Sequence, residues 1–139
     1  MKFKFRFASL LKLRRHQQKK EKQRLGELLT KRADIRTEYD ELKKQCEAEL
    51  SDSQCESVIK NRQQYAQKHA MHKQLVIIEK NLRVLEIKLK EQRDLLAIAA
   101  QKTRMMEKLK QNEKNAFIQR IEHQEQLQQN EIAIQRFNS

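Results

Sequence analysis

The amino-acid sequence predicts an all-α protein, a long antiparallel two-helix coiled coil (α-hairpin) with an overhanging C-terminal helix. Three observations support this fold class. The 139 residues include no proline and one glycine, so the sequence lacks the turns that a sheet or sandwich needs. Charged residues make up 36% and aromatic residues 5%, which leaves too little apolar bulk for a broad core. The aliphatic residues recur every three or four positions, which is the spacing of a coiled-coil seam.

The first helix is predicted from about residue 9 to residue 50, with Ser9 as its N-cap and a non-helical lead-in before it. Its seam positions are Leu25, Leu28, Arg32, Ile35, Tyr39, Leu42 and Cys46. Upstream, the same phase runs through Glu21, Gln18, Arg14, Leu11 and Phe7. Because three of these upstream positions are polar, we expect the packing between the helices to loosen there.

The turn is predicted at residues 51–57, a short polar segment rich in capping residues. The second helix is then expected from about residue 57 to residue 136, and the whole chain, 1–139, forms one coiled-coil domain. Its seam positions are Leu75, Ile78, Leu82, Leu85, Leu89, Gln92, Leu96, Ala99, Thr103 and Met106. A turn at this place puts residue 3 opposite about residue 105 and leaves the last thirty or so residues without an intrachain partner.

The positive charge is concentrated near the N-terminus. Residues 1–24 contain ten basic side chains and one acidic one, a net +9 out of +12 for the chain. Such a cluster is typical of a surface that binds a polyanion or an acidic protein, and the alternative is a solvated helix face. Because no zinc finger, helix-turn-helix or leucine-zipper pattern accompanies the cluster, sequence-specific nucleic-acid binding has no support.

The lead-in contains Phe3, Phe5 and Phe7 in alternation with basic residues. This pattern is compatible with an amphipathic segment at a membrane surface. Seven residues are too few for strong anchoring, so packing of the phenylalanines on the companion helix is the favoured interpretation.

Catalytic chemistry is not expected, because a chain with so few turn residues offers few loops on which to build an active site. Cys46 and Cys55 have neither zinc-ligand spacing nor the number of a secreted disulfide framework, which favours a reduced, cytoplasmic protein. His69 and His72 share a helix face but lack a third ligand, so no metal or other cofactor is predicted. No apolar stretch approaches the 18 residues of a membrane span, and the basic N-terminus lacks the apolar core of a signal peptide.

Three segments resemble a known family. Residues 3–15 (FKFRFASLLKLRR), 25–28 (LGEL) and 61–65 (NRQQY) are similar to FliJ proteins of the bacterial flagellar type III export apparatus. The resemblance implies a two-helix coiled coil similar to the γ stalk of rotary F-type ATPases. Its paired termini would enter the pore of the hexameric export ATPase, and its other end would face the export gate. It further implies a cytoplasmic protein associated with the inner-membrane export apparatus.

The resemblance also implies three sets of contact residues. The ATPase would be bound by Arg14, Arg15, Lys19 and Lys20. The export gate protein FlhA would be bound by Leu42, Tyr65, His69, His72 and Val76. Export chaperones would be bound by Phe117, Ile118 and Ile121. The two histidines depart from the more apolar pattern of the family, and no small-molecule substrate is implied.

Two other functions stay open. The first is a basic coiled-coil protein that binds nucleic acid, which would show affinity for DNA with a steep salt dependence and no affinity for the ATPase. The second is a purely structural homo-oligomeric coiled coil, which a light-scattering mass would separate from a monomer.

Overall fold

The computed structural model describes residues 2–52 and 58–138, and the side chains of residues 2–48 and 62–138. It contains two helices, α1 (Ala8–Asp52) and α2 (Val58–Asn138), and no strand in the residues described. The predicted all-α antiparallel pair with an overhanging second helix is confirmed. Ser51 and Asp52, which were expected in the turn, belong to α1. The rest of the predicted turn lies at residues 53–57, outside the described part of the chain, and so does Cys55.

The start of α1 differs from the prediction. The Leu11 N–H donates to the Phe7 carbonyl at 2.9 Å, and the Ala8 N–H donates to the Phe5 carbonyl at 3.3 Å. The Phe7 carbonyl therefore accepts the first i to i−4 bond of the helix, which is the position of an N-cap. The prediction of Ser9 as the N-cap is wrong, because Ser9 already lies inside the helix.

The predicted seam is confirmed on both helices. Every predicted seam position from Phe7 to Cys46 in α1, and from Leu75 to Met106 in α2, is buried or half-buried, while most residues between them are exposed. Because neither helix interior contains a proline, the backbone hydrogen-bonding pattern continues without a break. The chain divides into two compact units, unit 1 (Met1–Lys20 and Ala97–Ser139) and unit 2 (Glu21–Leu96).

Unit 2 pairs α1 with α2 in antiparallel register. Its cross-helix contacts join Glu21 to Gln92, Arg32 to Glu86, Tyr39 to Glu79 and Cys46 to Met71. Leu89 is fully buried, and Leu85 is nearly so. The expected loosening at Glu21 is not observed, because the Gln92 side chain donates to the Glu21 carbonyl at 3.1 Å and to its carboxylate, and only 8% of Gln92 is exposed.

Unit 1 is also antiparallel, but the register differs from the prediction. Arg15 pairs with Glu107 at 3.4 Å, and the rings of Phe3 and Phe117 lie 5.6 Å apart. Residue 3 is therefore not opposite residue 105. The same displacement is present in unit 2, where Arg32 contacts Glu86 and Tyr39 contacts Glu79, so it belongs to the pairing of the two helices and not to the lead-in. The overhang is shorter than predicted, since the continuously exposed part of α2 begins at Glu122.

Candidate protein-binding surfaces

Each helix pair has two distinct flanks beside its seam. An α-helix turns by about 100° per residue, so the residue before a seam position and the residue after it lie on opposite flanks. Arg15 follows the seam position Arg14, Glu107 follows the seam position Met106, and the two side chains form an ion pair. Residues that follow seam positions therefore share one side of unit 1, here called the following flank. Residues that precede seam positions share the other side, the preceding flank.

The four predicted ATPase-binding residues all lie in unit 1 but do not share one direction. Arg14 is half-buried in the seam, and its guanidinium donates to the Gln17 side-chain oxygen at 3.3 Å. Arg15 and Lys19 lie on the following flank, whereas Lys20, which precedes the seam position Glu21, lies on the preceding flank. These last three side chains are exposed. Of the four cations, only Arg15 and Lys19 therefore lie on the same flank as exposed side chains.

The second helix supplies basic residues that the sequence analysis did not single out. In unit 1, α2 carries seven exposed cations, namely Lys102, Arg104, Lys108, Lys110, Lys114, Arg120 and Arg136. Unit 1 as a whole has 15 Lys and Arg against 5 Asp and Glu, a net +10, whereas unit 2 has 16 against 14, a net +2. A charge count along the chain missed this group. A count over the segments that antiparallel pairing brings together would have found it.

The following flank of unit 1 combines cations from both helices. Its basic members are Lys12, Arg15, Lys19, Arg104 and Lys114. The one carboxylate on this flank in the two-helix part of unit 1 is Glu107, which pairs with Arg15. Because these side chains are exposed, they can contact an acidic surface without first leaving a packed position in the protein.

Four of the five predicted gate-binding residues form one stripe in unit 2. Tyr65, His69, His72 and Val76 each follow a half-buried seam position of α2, and they are spaced by four, three and four residues. All four are exposed, and Tyr65 is 74% exposed. Leu42 is half-buried in the α1 seam, so it is set apart from the stripe.

Cys46 and Tyr39 are seam residues of unit 2 that make a sulfur contact and a polar contact, respectively. The Cys46 thiol contacts the Met71 sulfur at 3.5 Å, beside a cavity of about 240 Å³ that His72 also lines. No group of three or more His, Cys, Asp or Glu among the described side chains is arranged to hold a metal ion.

The Tyr39 hydroxyl donates to the Glu79 carboxylate at 3.0 Å. This hydrogen bond, with desolvation and the negative charges of Glu79 and Asp40, raises the pKa of Tyr39.

The predicted chaperone-binding residues are only partly exposed to solvent. Phe117 and Ile121 are half-buried, and Phe117 packs against Phe3. Ile118 is 42% exposed and lies on the following flank. A cleft of about 380 Å³ in this part of unit 1 is lined by Phe3, Lys4, Arg6, Glu113, Phe117 and Arg120. The interpretation of Phe3 as a residue that packs on the companion helix is therefore confirmed.

Compared with models of protein families, with curated proteins and with solved structures, the chain matches none of them. Within the described ranges, neither helix has the apolar content that crossing a membrane requires. The charge, the burial and the helix pairing within each unit are therefore the structural observations that bear on function.

Proposed function

We propose that this protein is a non-catalytic coiled-coil component of the bacterial flagellar type III export apparatus, similar to FliJ. In this proposal unit 1 binds acidic groups in the pore of the hexameric export ATPase and acts there as a stalk. The protein acts in the cytoplasm, beside the inner-membrane export apparatus. The resemblance of the three sequence segments supports the family, and the surface of unit 1 supports the mode of binding.

The observation that carries the proposal is the following flank of unit 1. Five exposed cations from two helices share it with one carboxylate, which is already paired. A flank of this composition has a strong positive potential, and such potentials accelerate association with acidic surfaces.

Two further contacts belong to the proposal. The exposed stripe formed by Tyr65, His69, His72 and Val76, together with Leu42 of the α1 seam, binds the export gate protein FlhA. Ile118, with the half-buried Phe117 and Ile121, binds export chaperones. These assignments rest on the family resemblance.

The main experiment measures binding of the full chain to the purified hexameric export ATPase. We expect saturable binding that weakens as salt is raised from 50 to 300 mM, because exposed charges are screened over about 8 Å at physiological ionic strength. The double variant Arg15→Glu with Lys19→Glu should lower the association rate about ten-fold or more without loss of helicity by circular dichroism. Unchanged binding of the variant at low salt would contradict the proposed docking side.

The gate contact has a separate test. Because Tyr65 is largely exposed, Tyr65→Ala should leave the helicity unchanged and weaken binding to the cytoplasmic domain of FlhA. A loss of helicity would instead make Tyr65 a structural residue and remove it from the site.

One observation favours a second candidate function, nucleic-acid binding. A net charge of +10 in unit 1 also fits a phosphate backbone. A duplex DNA titration at several salt concentrations distinguishes the two functions. Steeply salt-dependent DNA binding without binding to the ATPase would favour this second function.

A further inference from the structure

The preceding flank of unit 1 carries a cluster of large apolar side chains alongside the cations Lys20, Lys102 and Arg120. It carries Leu10 and Leu13 from α1, and Ile98, Met105 and Leu109 from α2. Four of these side chains are substantially exposed, with Leu13 and Ile98 at 50%, Met105 at 65% and Leu109 at 36%. Large apolar side chains that cluster on one side of a charged protein mark an interaction site more often than isolated ones do.

The assignment to one side follows from the positions of these residues. Leu13 precedes the seam position Arg14, and Ile98 and Met105 precede the seam positions Ala99 and Met106. The ion pair between Arg15 and Glu107 fixes the opposite side, because both of its members follow seam positions. The preceding residues of α1 and α2 therefore lie on a common side of the pair.

The α2 members of this flank form a second coiled-coil stripe. Ile98, Lys102, Met105 and Leu109 are spaced by four, three and four residues. This is the spacing at which one helix packs its side chains into another. Leu10 and Leu13 of α1 lie on the same side of the helix pair as this stripe. The two helices together therefore offer an apolar surface on which a third helix could pack.

Unit 2 lacks an equivalent flank. Six of the seven residues that precede its α1 seam positions are charged, namely Arg24, Glu27, Lys31, Asp34, Glu38 and Glu41, and the seventh is Gln45. The apolar Ile77 and Val84 of α2 therefore share their flank with charged α1 residues rather than with leucines. Only unit 1 has apolar preceding residues on both helices among the residues described.

The charge of unit 1 defines the chemistry of the occupant. A second copy of the chain would bring another net +10 against the first, which like-charge repulsion opposes. Lys102 stands in the middle of the stripe, where it would meet a carboxylate at the edge of an incoming helix. We propose that the preceding flank of unit 1 binds an amphipathic helix of another protein, with apolar residues along its centre and Asp or Glu along its edges.

This inference goes beyond the proposed function, because it uses the side of unit 1 opposite to the basic following flank. The probe is a synthetic helical peptide of about three heptads, with Leu at its seam positions and Glu beside them. A sister peptide carries Lys in place of Glu. Fluorescence anisotropy with the full chain should show saturable binding of one acidic peptide per chain and no saturable binding of the basic peptide.

Matched variants distinguish a specific groove from general attraction. We expect Leu13→Ser, Met105→Ser and Lys102→Glu each to weaken binding of the acidic peptide about ten-fold. Ile132→Ser should change the affinity less than about two-fold, and so should Lys108→Glu, which carries the same charge reversal on another face. Ile132 is a suitable control because it is 50% exposed, as Ile98 is. Circular dichroism of each variant checks that the helices are retained.

Three results would overturn the inference. The first is the absence of saturable binding of the acidic peptide. The second is equal weakening by Lys102→Glu and Lys108→Glu, which would reduce the effect to net charge. The third is a dimer in sedimentation that Met105→Ser dissociates, which would make a second copy the occupant. None of these measurements includes the ATPase, so their failure is separate from a failure of the proposed function.

Discussion

Units 1 and 2 each pack their helices along an antiparallel seam but differ in the residues beside it. Unit 2 has nearly balanced charge, and both Arg32 and Arg36 reach Glu86 across the helix pair. Unit 1 has a net +10, and its cross-helix ion pair joins Arg15 to Glu107. The comparison teaches that the seam determines the fold, whereas the flanks determine what each unit presents to a partner.

The seams themselves also differ in composition. Within the helices, unit 2 buries Leu85, Leu89 and Gln92, whereas unit 1 buries Leu11 and Thr103, and its third buried residue, Phe5, lies in the non-helical lead-in. The Thr103 hydroxyl donates to the Ala99 carbonyl at 3.0 Å, so this buried polar group is satisfied within its own helix. We therefore expect most of the packing energy of the long helices to reside in unit 2.

The largest expected effect comes from Leu89→Ala. Leu89 is fully buried, so the substitution should lower the free energy of unfolding by about 3 kcal/mol. Leu85→Ala should cost about 2 kcal/mol. Leu42→Ala should cost less than either, because Leu42 is only half-buried. Urea unfolding followed by circular dichroism measures all three, and a loss below about 0.5 kcal/mol for Leu89→Ala would mean that the seam is placed incorrectly.

The next effect concerns the polar contact between Gln92 and Glu21. Gln92→Ala removes a buried donor that bonds two oxygens of Glu21 and should cost about 1 to 2 kcal/mol. Gln92→Leu should cost less or even stabilise the pair, because an apolar residue suits a seam position. Equal destabilisation by Leu and by Ala would show that the polar contact, rather than the packing volume, is what Gln92 contributes.

A smaller effect is expected from the lead-in of unit 1. Phe3→Ala removes the ring contact with Phe117 and should cost about 1 kcal/mol. The loss should be local, so hydrogen exchange should accelerate near Phe117 and remain unchanged near Leu89. Acceleration at both places would contradict a separate contribution of the lead-in.

The smallest effect is the pH dependence due to Tyr39. The hydrogen bond to Glu79 raises the pKa of Tyr39 above its ordinary value of 10.0, so folding favours the neutral phenol. The resulting stabilisation is complete below pH 10 and is lost as the pH rises through the raised pKa of the folded state. Tyr39→Phe should remove this part of the alkaline destabilisation, as measured by unfolding between pH 9 and pH 11.5. An identical pH profile in the variant would contradict the role of the hydrogen bond.

The seam could be predicted from the sequence because it depends on local periodicity. Leu28, Ile35, Leu82 and Leu89 repeat at helical spacing whatever their partners are. The start of α1 could not be predicted correctly. Serine is a favoured N-cap residue, which pointed to Ser9, but Phe7 is the residue at the N-cap position of this helix. Composition alone does not determine which residue accepts the first helical hydrogen bond.

The candidate surfaces were less predictable than the seam, because they depend on register. The contacts between Phe3 and Phe117, and between Arg15 and Glu107, join residues far apart in the chain. A small error in the position of the turn changes every such pair. The basic residues of α2 depend on register in the same way, since Arg104 and Lys114 become significant only when pairing places α2 alongside the basic N-terminal part of the chain.

The most direct measurement compares the basic following flank of unit 1 with the same positions in unit 2. Lys19→Glu with Lys114→Glu reverses one exposed following residue on each helix of unit 1, and Lys43→Glu with Lys90→Glu does the same in unit 2. Both double variants change the net charge of the chain by the same amount. The proposal predicts that the unit 1 variant loses about ten-fold or more in affinity for the hexameric export ATPase at low salt, while the unit 2 variant stays within about two-fold of the parent. Equal losses in the two variants would contradict a specific docking side in unit 1.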